Sequence, residues 1–199
     1  MSTTIAARIP APVLLDRILT RSLATDAVAV TAGAAFVALA AQVAVPLWPV
    51  PITMQTLAVL LVASAFGAVR GSLSMSLYLI AGLLGAPVFS DGGSGVAVVF
   101  GPSGGYIVGF VLAGCLTGRL SEREWHRPTL KAAVACGVGT IATFAVGLPW
   151  LMVALGATVN ETLQWGLYPF IVGGIVKTAA AAILIPVAWR FAERLRGRD

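Results

Sequence analysis

The sequence predicts an all-α integral membrane protein of six spanning helices, with both termini cytoplasmic and structured external loops capping a ligand pocket. Three observations predict it. Of 199 residues, 58% are hydrophobic and 11% charged, against roughly 25% charged in a soluble domain, and the mean hydropathy is +0.94. The apolar runs are each about 15 to 25 residues long, and ~20 helical residues at ~1.5 Å each cross a ~30 Å hydrocarbon core. The basic residues are also segregated. Of the 13 lysines and arginines, Arg8, Arg17 and Arg21 precede the first run and Arg70 follows the second. Arg119, Arg123, Arg127 and Lys131 bracket the connection after the fourth, and Arg190, Arg194, Arg196 and Arg198 follow the last. The connections at 46–53, 86–103 and 157–166 hold none. Cytoplasmic loops carry the lysine and arginine excess, so this alternation fixes an even number of spans in the cell (inner) membrane.

In chain order, residues 1–26 form a cytoplasmic or interfacial amino-terminal segment. It lacks signal-peptide form, because Asp16, Arg17 and Arg21 interrupt it. Over 13–23, Val13, Leu14, Leu15, Ile18, Leu19 and Leu23 share one helical face, which suits a short helix lying on the membrane surface. The membrane domain, 27–190, holds spans at about 27–45, 54–69, 71–85, 104–120, 131–156 and 167–189. The second and third are parted only by Arg70 and Gly71 and so predict a tight hairpin. The third ends before Pro87, and 191–199 is a basic cytoplasmic tail. No internal repeat stands out, so an inverted-repeat transporter is not indicated.

The charge of +5 resides in the connections and tails, where it reports topology rather than nucleic-acid binding. Cys115 and Cys136 lie within apolar runs and His126 in a charged loop, which predicts neither a disulfide framework nor a metal site, and no cofactor. "GPSGGY" (101–106) lacks the lysine and hydroxyl residue of a phosphate loop. "GVGTIA" (137–142) sits inside a span with no strand before it. The spans contain no aspartate, glutamate or histidine away from their margins, so a general acid, base or activated nucleophile is not available there. A binding or transport protein needs only a shaped cavity with a few polar groups, and an enzyme is the less favoured class.

The external connections resemble lids. "PLWPVPITMQ" combines three prolines with Trp48, and "APVFSDGGSGVAVVFGPSGGY" is rich in glycine and too apolar for a solvated tether. Such loops can bury aromatic groups against a ligand while Thr53, Gln55, Ser90 and Asp91 supply direction; the alternative is interfacial anchors and simple turns. Lys177 is the sharpest feature. A lysine near mid-bilayer costs ~2.5–3.5 kcal/mol, and its ~6 Å reach is short against ~15 to 20 Å to either end of its span. Helical side chains lean toward the helix amino terminus, which aims the ammonium beneath the external loops, either at a ligand with a carbonyl or anionic group or at backbone carbonyls or Asp91. Small residues recur four apart, among them Ala34 with Ala38, Gly105 with Gly109 and Ala113, and Gly114 with Gly118. They predict close helix packing, and on the first span a face for a partner protein.

The stretches "VPLWPVPITMQTLAVLL" (45–61), "SMSLYLIAGLLGAPVF" (74–89), "FGPSGGYIVGF" (100–110) and "PFIVGGIVK" (169–177) together resemble the BioY family, the biotin-binding subunits of energy-coupling factor transporters. The resemblance implies a six-helix substrate-binding subunit in the lipid bilayer. It also implies that uptake is driven by a separate transmembrane coupling protein and two cytoplasmic ATPases, which would dock on an A-x-x-x-A motif, here Ala34 and Ala38. It further implies that biotin is enclosed by Trp48, Phe89 and Tyr106, with Gly104 in the glycine segment, and that Lys177 takes its carbonyl or carboxylate. The family usually reads G-D-x-x-K where this chain has Gly173, Gly174, Ile175, Val176 and Lys177. With Gly174 in place of the aspartate, the acceptor for a ureido N–H has to come from Asp91, Asn160 or Gln55, or the ligand is a biotin relative.

Overall fold

Ser22 starts the first long helix. In the computed structural model, which describes residues 13–18, 20, 22–125 and 129–196, its Oγ accepts the Thr25 N–H at 3.1 Å while Thr25 Oγ1 accepts the Ser22 N–H at 2.9 Å. This reciprocal cap satisfies two otherwise orphaned amides. Helix α2 therefore begins at Leu23, four residues before the expected span, and runs Leu23–Ala41. It is preceded by a short helix, α1, Leu14–Ile18. After α2 the chain makes a small antiparallel hairpin, β1 (Ala44–Val45) with β2 (Ile52–Thr53), in the register Ala44 to Thr53 and Val45 to Ile52.

Helix α3 spans Gln55–Leu83 and is broken at Gly67, where φ is 85° and ψ −178°. Only glycine adopts that backbone at low cost. The two arms fold back on each other. Gln55 Nε2 donates to the Tyr78 hydroxyl at 2.5 Å, whereas a straight helix would hold residues 23 apart at ~34 Å. A Cβ on Gly71 would lie 3.0 Å from Ala63 Cα in the opposing arm. The expected hairpin is present, but its turn is at Gly67 rather than Arg70–Gly71. Glu122, from the turn Ser121–Trp125 that follows α5 (Gly104–Leu120), accepts the Ala68 N–H at 2.8 Å and so caps the second arm. A Gly67→Ala Cβ would fall 2.7 Å from Glu122 Oε1. That variant is expected to lose about 1–3 kcal/mol of stability, read as a lowered thermal midpoint in detergent.

The remaining elements are a 3-10 turn at Ser90–Gly92, α4 (Val96–Val99), α6 (Thr129–Leu155), α7 (Val159–Gly166) and α8 (Tyr168–Arg196). Five stretches among the described residues are long and apolar enough to cross a membrane: Leu23–Ala41, Gln55–Leu83, Gly104–Arg123, Thr129–Leu155 and Tyr168–Arg194. The second of these is the folded-back α3. Helix α5 lies between α3 and α6, and glycines set its distance from both. An added Cβ at Gly118 would meet the Ala68 nitrogen at 2.4 Å, one at Gly114 the Gly71 backbone at 3.3 Å, and one at Gly109 the Thr143 carbonyl oxygen at 2.9 Å. In lipid, where apolar burial does not drive helices together, such backbone approach supplies the packing energy. The core around it is formed by Val37, Val59, Met75, Tyr78, Phe89, Ile107 and Phe110.

Arg70 does not serve as a loop marker alone. It is 8% exposed, donates from Nη1 to Asp16 at 2.7 Å, and holds Asp26 through Nε at 2.7 Å and Nη2 at 2.6 Å. Asp16 thus turns toward the bundle, and α1 is tied to it rather than lying free on a surface. Leu14 adds apolar contact with the cluster of Leu60, Cys136, Ala181, Ile185 and Trp189. Residues 1–12, 19 and 21 of the amino-terminal segment, His126 and residues 197–199 lie outside the described residues. The tail expected at 191–199 is, as far as Arg196, a continuation of α8, since "FAERLR" contains nothing that stops a helix.

Candidate ligand-binding site

At the end of the bundle opposite Arg70, the β1–β2 hairpin, the start of α3, the loop after it, the first half of α5, α6 and α8 surround a cavity of about 230 Å³. Its polar groups form a chain. Lys177 Nζ, half-buried on α8, donates to the Thr53 carbonyl at 2.5 Å. Thr53 Oγ1 donates to Gln55 Oε1 at 2.7 Å, and Gln55 Nε2 donates to the Tyr78 hydroxyl. Thr53 and Gln55 are both buried, so the amide is held in one orientation with one N–H and one lone pair still available. The carbonyl of Thr53 is the sole partner of the Lys177 ammonium among the described residues. One helical turn earlier, a Cβ on Gly174 would meet no atom within 4 Å.

The walls are aromatic. Tyr106 and Phe170 stack at 6.1 Å and 19°, and Phe144 meets both edge-on at 5.8 and 6.0 Å, spacings at which aromatic pairs attract beyond their burial. Glycines make the room. A Cβ on Gly147 would lie 2.4 Å from the Tyr106 ring, and one on Gly82 would lie 2.1 Å from Phe89 Cζ. The Tyr106 hydroxyl donates to the Gly166 carbonyl at 2.9 Å, so it anchors the end of α7 and leaves the ring as wall. Phe89, 1% exposed, packs edge-on against Tyr78 at 5.4 Å. The arrangement suits a small molecule with an apolar ring body and a carbonyl or anionic group.

The family model described as "BioY family" matches residues 11–194. The chain belongs to the BioY family. This BioY chain is 36% identical over 155 residues to "Biotin transporter BioY2" of Lactococcus lactis subsp. cremoris, covering 78% of this chain and 82% of that protein. It is 36% identical over 167 residues to "Probable biotin transporter BioY" of Pyrococcus horikoshii, covering 82% and 93%. Among solved structures, the S-component for biotin from an ECF-type ABC transporter superposes with a TM-score of 0.73 at 22% identity, over 84% of this chain and 92% of that one. That likeness establishes the fold, and the family match together with the long apolar helices makes the chain a multi-pass membrane protein.

Within this BioY chain the expected residues divide. Thr53, Gln55, Phe89, Asp91, Tyr106 and Lys177 line the cavity. Trp48, Gly104 and Asn160 do not. Trp48 is 73% exposed and rests edge-on against Trp165 at 5.2 Å. Asn160 is exposed on the first turn of α7. Gly104 is buried where a Cβ would lie 1.6 Å from the Val99 carbonyl oxygen, so it permits a backbone crossing rather than offering a group to a ligand. The docking pair also faces inward: Ala34 is 7% exposed within the core, and Ala38 packs on the same cluster. The small residues that α2 turns outward are Ala24, Ala27, Thr31, Ala32 and Ala35, of which Ala27, Thr31 and Ala35 recur four apart. Phe110, Thr143, Phe144 and Phe170 also line the cavity and were not legible in the sequence, because a helical position facing a greasy cavity has the same composition as one facing lipid. Tyr78 did carry a signal, a phenol within an apolar run.

Proposed function

We propose that the chain is the substrate-binding membrane subunit of a biotin importer, not an enzyme, and that it captures biotin in a pocket opening outward. The observation that carries this reading is the half-buried Lys177 ammonium held on a neutral carbonyl inside an aromatic cavity, in a chain whose relatives bear the name of biotin transporters. Biotin's fused ring fits among Tyr106, Phe144 and Phe170. Its carbonyl or carboxylate meets Lys177, and the free N–H and lone pair of Gln55 serve the ureido edge. Thr53 and Asp91 lie beside the same space.

The lysine and arginine distribution supports six spans, with α3 counted as two, both termini cytoplasmic and the loops around Phe89 and Val50 closing the external end in the cell (inner) membrane. Import driven by ATP then requires a transmembrane coupling protein and two ATPase subunits. Their docking on α2 is better served by Ala27, Thr31 and Ala35 than by Ala34 and Ala38, since a partner helix needs exposed small residues for close approach. A biotin precursor or another small carboxylate vitamin is the second reading, favoured by Gly174.

Calorimetric titration of the purified protein with biotin and desthiobiotin tests the assignment. Saturable biotin binding is the expected result, and no binding overturns it. The open space at Gly174 leads to a second expectation. Gly174→Asp, placed i to i+3 from Lys177, adds an acceptor without a clash and tightens biotin binding about tenfold, the worth of one hydrogen bond of ~1.4 kcal/mol. Weaker binding in that variant would count against the ligand pose.

A further inference from the structure

Gln42, the residue that ends α2, is exposed and lies outside the cavity lining, yet its carboxamide joins two elements. Nε2 donates to the Ala38 carbonyl at 3.0 Å within its own helix and to the Phe89 carbonyl at 3.0 Å, with the Val88 carbonyl at 3.5 Å. Oε1 accepts the Gly92 N–H at 3.1 Å. The bonds at Phe89 and Gly92 bracket Ser90 and Asp91, and Phe89, Ser90 and Asp91 are three consecutive lining residues. This short wall includes Asp91 at φ 55°, the one non-glycine residue with positive φ among the described residues, a backbone state that needs outside support. Its own internal bonds are Phe89 N–H to Gly93 at 3.0 Å and Gly93 N–H to Ser90 at 3.0 Å. Phe89 in turn backs Tyr78, which holds Gln55.

We propose that Gln42 is a positioning residue for ligand retention: by fastening the 89–92 turn to the end of α2 it fixes one wall of the cavity and sets how fast the ligand leaves. This rests on the cavity being the ligand site. Gln42→Met keeps the length of the side chain and removes both the donor and the acceptor, and Gln42→Glu keeps the acceptor for Gly92 while setting a carboxylate against two carbonyls. Hydrogen–deuterium exchange over residues 84–95 should rise in both variants without ligand. The biotin dissociation rate should rise about tenfold with the association rate within about twofold of the parent, a split that general loosening of the bundle would not produce. In the parent, biotin should protect 84–95 from exchange. Unchanged exchange in the variants, raised exchange with an unchanged dissociation rate, or no protection of the segment by bound biotin would each overturn the proposal. Because the exchange comparison needs no ligand, failure of the fastening and failure of the biotin assignment are told apart.

Discussion

Lys177→Met is expected to weaken biotin binding by about ten- to a hundredfold while leaving the bundle folded. The magnitude follows from the bond that is lost. A hydrogen bond to a charged group is worth ~1.5–3 kcal/mol, and each ~1.4 kcal/mol is a factor of ten. The ammonium sits at the cavity wall on a neutral carbonyl, so an incoming anion does not have to break an ion pair to reach it. Methionine has similar length and is at ease in an apolar site, which keeps the change chemical rather than steric. Titration calorimetry of the variant beside the parent reads the effect, with the thermal midpoint of the empty protein as the control. Unchanged affinity would remove the lysine from the site.

The second large effect is on stability. Arg70→Leu is expected to cost up to about 3–5 kcal/mol, because it takes from the little-exposed Asp16 carboxylate the guanidinium that donates to it at 2.7 Å. The side chains of Arg70 and Asp16 are 10% and 8% exposed, whereas that of Asp26 is 42% exposed. Asp16→Asn should therefore hurt more than Asp26→Asn, which belongs with surface pairs at ~1 kcal/mol or less. Adding Asp16→Leu to Arg70→Leu should recover much of the loss, since both buried charges are then gone. Unfolding in detergent by denaturant measures all four variants. Biotin affinity of the folded protein should be unchanged, because the 17-residue α5 that separates the two ends spans ~25 Å.

Arg70 also marks the boundary of what was legible. A lone arginine between two apolar runs reads as a loop, and the hairpin it announced is real. Its burial was not readable, since its partner Asp16 comes from the stretch 13–23, whose own pattern suggested a surface helix, and Asp26 from the margin of the first long run. The turn itself was displaced to Gly67, where backbone geometry rather than charge decides the break. The same distinction runs through the site. Thr53, Gln55 and Lys177 were legible because a polar residue in an apolar chain needs a partner. Trp48 and Asn160 do not line the cavity, because residence in a connection does not say which side a side chain takes. Phe144 and Phe170 were hidden because the hydrophobic period that separates inside from outside in water loses its contrast when the solvent is lipid.

The glycine contacts along α5 set what can move. Where Gly109, Gly114 and Gly118 press backbone on backbone, a shift of register by one residue, ~1.5 Å along and ~100° about the axis, would drive a neighbouring side chain into space sized for a hydrogen atom. Packed interfaces of that kind hold one register or jump to another; they do not creep. The long helices are accordingly expected to move as one block. Admission of a molecule to the cavity would then fall to the loop of the β1–β2 hairpin, which carries Val50 and Pro51 at the cavity, rather than to the 89–92 turn that Gln42 fastens to α2.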